Sequence, residues 1–178
     1  MKVLISFLLL SVIVSSFKET DDWFLLQTKS FKILFPKKPT SDTKNIDSHV
    51  GKLVLNLNYY EVPEGVSDDN HLYMTNETSY PDSVINSDKK ELLDAFFKNS
   101  IAGSVNNVHG KLLSEKVIGL GKYPGREVRI DFRDGMAVIK VRMYLVRNTL
   151  FLLQTITETG KQYNKSIDKF MDSFQLVH

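Results

Sequence analysis

Apolar and polar positions alternate through three successive runs near the end of the chain, at 126–133, 136–147 and 150–157. Turn signals at Asp134-Gly135 and Asn148-Thr149 separate them. Asp-Gly between alternating runs favours a two-residue turn whose positive φ matches the twist of a hairpin. In the register this sets, Phe132 faces Ala137, Ile130 faces Ile139 and Val128 faces Val141 on one apolar face. The opposite face pairs Glu127 with Arg142 and Arg129 with Lys140. Across the second turn Leu145 faces Leu152 and Val141 faces Ile156, extending the same apolar face. After these strands Ile167, Phe170, Met171 and Phe174 recur at helical spacing, so a helix over 161–173 closes the chain.

The earlier half reads less regularly. Residues 22–26 fit a short helix or an extended arm, and 30–35 alternate with Phe31, Ile33 and Phe35 on one side until Pro36 ends the ladder. Residues 40–50 are polar, a loop or a fraying strand start, while 52–62 form a long strand and 72–78 its antiparallel return. An internal helix starts near Asp88, with Ser87 or Asp88 as cap and Glu91 completing a capping box. Its stripe is Leu92, Leu93, Phe96, Phe97 and Ile101, and Gly103 offers a stop. A strand at 111–118 leads to a glycine-rich corner, where Tyr123-Pro124-Gly125 suits a type II turn. Two helices among hairpinned strands predict an α+β fold, an antiparallel meander flanked by helices.

The first residues change the picture of where the domain works. Lys2, the apolar run 3–14 and Val14-Ser15-Ser16 have the order of an export signal over 1–16. Cleavage would leave a single domain, 17–178, in the periplasm or outside the cell. The run is short for a bilayer span of roughly 20 residues, so a retained anchor is the lesser alternative. The chain has no cysteine, which excludes a lipidated N-terminus, a disulfide framework, a thiolate zinc site and a Cys nucleophile. A domain of this length buries roughly 70% of its unfolded surface and needs no staple. The formal charge of +2 is no polyanion-binding signature, so nucleic acid is not an expected partner. Charge is nevertheless uneven, with six acids and no Lys or Arg in 61–82, and six bases against three acids in 126–147.

Phe31-Lys32-Ile33-Leu34-Phe35-Pro36 soon after Trp23, then Tyr123-Pro124-Gly125-Arg126-Glu127 before a basic hairpin, then Phe170-Met171-Asp172-Ser173-Phe174 on the last helix form a familiar order. It resembles the PsbP-like fold, and most of all its small exported bacterial members with no assigned activity. The resemblance covers about 23–177. It implies an α/β/α sandwich around an antiparallel sheet and an adaptor-type role without shared catalytic apparatus. The family's functional surfaces vary between members, so it carries no binding residue onto this chain.

Candidate chemistry is sparse. The histidines His49, His71, His109 and His178 lack the helical spacing of a zinc template, and no Gly-x-Ser-x-Gly elbow supports a hydrolase triad. Asp68-Asp69-Asn70, with Glu64 and Glu77 nearby, offers oxygen ligands for weak calcium binding but misses the spacing of an EF-hand. A solvated polar turn is the plainer reading. Gly119, Gly121 and Gly125 precede a strand rather than a helix and so do not make a phosphate cradle. Arg126 falls on the face of Val128 and Ile130, at the rim of the core, where it covers apolar surface, pairs with a carboxylate or marks an anionic ligand. Arg129, Lys140 and Arg142 form a basic hairpin face, the candidate surface for a partner. No cofactor or metal is expected. The reading that follows is a non-enzymatic exported binding or interaction module. The alternative is a carrier of a small apolar or amphipathic ligand between the sheet and the helix at 92–101, prompted by Tyr59, Tyr60, Phe96, Phe97 and Tyr144.

Overall fold

The computed structural model describes residues 22–48 and 50–177; the export signal at 1–16, its cleavage before Phe17, His49 and His178 lie outside the described residues. Among the described residues the elements run β1 (Phe24–Gln27), β2 (Phe31–Phe35), β3 (Thr40–Ser48), β4 (Gly51–Glu61), β5 (Asn70–Ser79), α1 (Lys90–Asn107), β6 (Lys111–Leu120), β7 (Tyr123–Phe132), β8 (Ala137–Val146), β9 (Thr149–Glu158), α2 (Lys165–Asp172) and β10 (Gln175–Leu176). Seven strands form one antiparallel sheet in the order β3-β4-β5-β9-β8-β7-β6, and β1-β2-β10 form a second, smaller one.

This overturns the helix-flanked α+β sandwich expected above. The protein is mostly β, and the layer opposite α1 is a small sheet with the short α2 beside it. The excess of strand comes from segments without alternation. β3 is polar and exposed along almost its whole length, so no apolar period marks it, yet every residue from Thr40 to Ser48 pairs with β4. Its backbone partners, not its side chains, make it a strand. The arm at 22–26 likewise becomes β1 by pairing with β2 from Phe24 to Gln27.

The first predicted hairpin forms in its expected register, with Phe132 opposite Ala137, Ile130 opposite Ile139 and Val128 opposite Val141. The second is shifted by two residues, with Leu145 opposite Leu150 and Val141 opposite Gln154. The turn is Arg147-Asn148, with Arg147 at φ 54°, rather than Asn148-Thr149. A shift by an even number keeps every side chain on its face, so the apolar pattern is blind to it. The corner also moves. Gly121, at φ 59°, makes the β6–β7 turn, and Tyr123, Pro124 and Gly125 lie inside β7. Gly125 is needed there for close packing, since a Cβ would stand 2.6 Å from the Met143 carbonyl oxygen and 2.7 Å from the Tyr144 ring.

Helix α1 begins at Lys90 with no side-chain cap. Ser87 is diverted: its N–H donates to the Arg147 carbonyl, and its Oγ accepts from the Arg147 N–H at 3.1 Å. The Asp88 N–H donates to Asn86 Oδ1, and Asp88 stays exposed. The helix runs past Gly103 and ends where His109 turns left-handed at φ 50°. N–H donation from His109 to Asn106 and from Gly110 to Val105 completes a Schellman stop. Helix α2 starts at Lys165, later than the 161–173 expected, because the Asn164 side chain caps it by accepting from the Ile167 N–H at 2.9 Å.

Strand β8 is central and buried on both sides. Ile139, Val141, Met143 and Leu145 join Phe97, Ile101 and Ile85 beneath α1. Tyr144 faces the other way, into an aromatic core of Phe31, Phe35, Tyr73, Phe151, Phe170 and Phe174 under α2 and β2.

Candidate functional site

The basic hairpin face is covered by the protein itself. Arg142 Nε lies 2.6 Å from Glu127 Oε2, and its Nη1 lies 2.5 Å from Asp172 Oδ1 on α2. Lys140 Nζ sits 3.7 Å from both Glu127 Oε2 and Asp168 Oδ1, also on α2. Arg129 stacks over the Tyr163 ring at 4.4 Å and donates to its hydroxyl. The sequence grouped these three cations correctly on one face, and two α2 carboxylates four residues apart close over two of them. Burial alone would push the Glu127 carboxyl up, but the Arg142 hydrogen bond and the charges of Lys140 and Arg142 outweigh it and hold the pKa below the usual range. Burial likewise opposes the charge of Arg142, and its bonds to Glu127 and Asp172 more than restore it, so its pKa is raised. Lys140 is thus charge-paired within the fold, and the Arg129 guanidinium opposite it is turned onto the Tyr163 ring.

Arg126 stands on the other face, opposite Met143 as the register predicts. Its guanidinium lies 4.7 Å over the Phe97 ring. Nη2 reaches Asp94 Oδ1 at 2.9 Å, Nε reaches Glu115 Oε1 at 3.2 Å, and Nη1 donates to the Gly125 carbonyl at 3.0 Å. The side chain thus ties α1 to β6 and β7. Burial is tolerable because two carboxylates, a carbonyl and a π face satisfy it.

Beyond Arg126 the helix covers its face thinly. Of its eighteen residues Phe97 and Ile101 are buried, and Leu92 is 37% exposed. Open grooves flank it. One, of about 580 Å³, runs between α1 and β6, its floor and walls built from Ile101, Ala102, Val105 and Leu112 and its rim from Lys98 and Arg126. The other, of about 420 Å³, lies between α1 and the β3–β4 hairpin, with Leu53, Tyr80, Val84, Leu92 and Phe96 among its walls. The space directly under α1 is filled, by Ile85, Phe97 and Ile101. Of the aromatics that suggested a ligand, Phe96 lines a groove and Phe97 fills the core, while Tyr60 and Tyr144 belong to the α2 side.

The strand expected at 111–118 forms the outer wall of this groove as β6, and what its pattern did not show is its place at the sheet edge. β6 is the last strand of the sheet and exposes Leu112, Leu113 and, at 71%, Val117. A bulge between Leu112 and Ser114 breaks its alternation, which is why the pattern at 111–118 did not distinguish an edge from an interior strand.

The acidic turn is occupied by structural bonds. Asp68 Oδ1 accepts from the Tyr73 hydroxyl at 2.8 Å, the Asn70 N–H at 2.9 Å and the Asn70 amide at 3.3 Å. Asn70 also bonds Thr157 and Asn164, so the turn is stitched to β9 and the α2 cap. Burial, then the bond to Asp68, raises the pKa of Tyr73. Asp69 stands 3.9 Å from Lys161. No cluster of three or more His, Cys, Asp or Glu side chains fit to hold a metal ion occurs among the described residues. His71 is exposed, 3.9 Å from Glu158, and His109 serves the helix stop.

No protein family matches the chain, and no curated protein is similar to it in sequence. Among solved structures it is similar to the protein of unknown function PA94 from Pseudomonas aeruginosa, at a TM-score of 0.33 and 8% identity over 78% of this chain and 85% of that one. A likeness at that level carries no structural or functional argument.

Proposed function

We propose that this chain is a non-enzymatic binding module working outside the cytoplasm, and that it binds through the α1 face of its large sheet. One observation carries the reading: a long helix that buries only two side chains, flanked by two open apolar grooves. Grooves of this size with apolar walls and a few charged rim groups are the usual form of a recognition site. The opposite face supports the choice, since α2 and its carboxylates already occupy the basic hairpin. The apolar run 3–14 supports export. The same surface accommodates the carrier reading in one place, the groove at Leu53, Tyr80 and Phe96, where a small apolar ligand would meet aromatic walls.

A photo-crosslinking side chain placed at Ala102, at Leu92 or at Lys165 in the native host tests the assignment, all three positions being exposed. Adducts of one discrete partner at Ala102 or Leu92 and none at Lys165 are expected. Adducts only at Lys165, or at no position, would remove the α1 face as the binding surface. A small molecule extracted from the purified protein and displaced by Phe96→Trp would favour the carrier.

A further inference from the structure

We propose that the partner supplies an extended peptide that adds to β6 as a further strand of the large sheet and seats alternate side chains in the groove beside α1. This rests on the α1-face reading and specifies what that face takes. An edge strand presents unpaired backbone donors and acceptors, and natural proteins protect such edges with charge, bulges or covering elements. The two edges of this sheet are treated differently. β3 lines its edge with Ser41, Asp42, Thr43, Lys44, Asn45 and Asp47, and Ile46 is its one exposed apolar residue. β6 carries Lys111, Glu115, Lys116 and a bulge after Leu112, yet it exposes three apolar residues, Leu112, Leu113 and Val117, beside the 580 Å³ groove. An extended peptide on an open edge, flanked by a helix that forms the far wall, is an established physical mode of peptide capture.

The pairing of β6 with β7 shows which side chains a new strand would meet. Leu112, Glu115 and Val117 stand opposite Ile130, Val128 and Arg126 and therefore share the α1 face. Ser114 and Lys116 stand opposite Arg129 and Glu127, on the other face. The same parity argues against a second copy as the occupant. A two-fold copy paired edge to edge would run antiparallel with its α1 on the same side, so only residues of one face could stand opposite each other. The two registers that overlap β6 most fully set Glu115 against Glu115 or Lys116 against Lys116, both unfavourable. Pairing with a different sequence is free of that conflict. The complementary peptide carries an apolar residue opposite Val117, an acid opposite Lys116, a base opposite Glu115 and Asp94, and an apolar residue that enters the groove at Leu112.

The test uses the capped peptide Ac-Thr-Val-Asp-Lys-Thr-Val-Thr-NH2 and its charge-exchanged form Ac-Thr-Val-Lys-Asp-Thr-Val-Thr-NH2, titrated into isotope-labelled protein. The first should shift the β6 amides and protect them from exchange. The second should bind about tenfold more weakly, because two favourable cross-strand pairs become unfavourable. Val117→Lys, at an exposed site that the fold does not need, should abolish the response with the rest of the spectrum unchanged. Equal binding of both peptides, no binding by either, or shifts confined to β3 would overturn the inference. So would β6 protection without peptide that grows with protein concentration, since the edge would then pair with itself. If Val117→Lys leaves the partner adduct at Ala102 intact, the added strand is wrong while the α1 face remains the binding surface.

Discussion

The two faces of the seven-stranded sheet carry helices of opposite character, α1 on one and, beside the small β1-β2-β10 sheet, α2 on the other. Helix α2 has eight residues and buries Ile167, Phe170 and Met171, while Asp168 and Asp172 clamp Lys140 and Arg142 from above. Helix α1 has eighteen residues, buries Phe97 and Ile101 with Leu93, Phe96 and Val105 half-buried beside them, and has one ionic tie to the sheet among the described residues, through Arg126. The short helix seals its side together with β2, whose Phe31 packs at a tilt on Phe174 and whose Phe35 meets Phe170 edge-on. The long one leaves an open groove along each flank. Helix length is therefore a poor guide to attachment. What binds a helix to a sheet is the density of apolar and paired polar groups on its inner face, and where that density is low the uncovered surface is available to a partner.

Truncation on each face tests this difference most severely. Phe170→Ala should cost about 4 kcal/mol and Phe97→Ala about 3 kcal/mol, both within the range for buried phenylalanines. Their distribution matters more than their size. In Phe97→Ala the amides of α1 should lose hydrogen-exchange protection well before the strands, whereas Phe170→Ala should lower protection throughout. Simultaneous release of α1 and the sheet in Phe97→Ala would show that the two faces are equally coupled to the fold.

A middle-sized effect sharpens the ionic half of the comparison. Arg142→Gln should cost about 2 kcal/mol near neutral pH, the order expected for hydrogen bonds to charged groups that are only partly exposed. Its acid dependence has a definite sign. The Glu127 carboxyl is held below its unfolded value of about 4.3. Its contribution is therefore complete above that pH and disappears as pH falls through the lower folded value. Without Arg142 the shift shrinks, so urea midpoints of the variant should fall less on acidification than those of the wild type. Parallel acid limbs would mean that Arg142 does not set the Glu127 ionisation.

The smallest effect concerns the start of α1. Asp88→Ala should change stability by less than about 0.5 kcal/mol, as at an ordinary surface site, because Asp88 makes no cap. A loss near 1 kcal/mol in a chemical denaturation series would restore it as the cap and tighten α1 beyond what its contacts suggest.

How much was legible varies by element for physical reasons. The β7–β8 hairpin could be written residue by residue, since its alternation is strict and Asp134-Gly135 marks the turn. The β8–β9 register could not, because a slip of two leaves the apolar pattern unchanged and only the left-handed Arg147 decides it. The cap at Ser87 was chemically reasonable but was taken by the backbone of Arg147, sixty residues away in the chain. The cluster of Arg129, Lys140 and Arg142 was visible as a shared face, but its occupation by Asp168, Asp172 and Tyr163 was not. Arg126 was placed at the rim of the core, where it now pairs with two carboxylates.

By itself the sequence determined the local periods: which residues of β7, β8, β9 and α2 point inward. These follow from side-chain chemistry over a few neighbouring residues, and each period states its own buried face. Tertiary structure alone decided that the polar segment 40–48 is a strand, that a small sheet rather than a helical layer covers one face, and that β6 is left as an edge. Those outcomes depend on which distant backbone lies alongside, and backbone hydrogen bonds carry no side-chain signature in either partner.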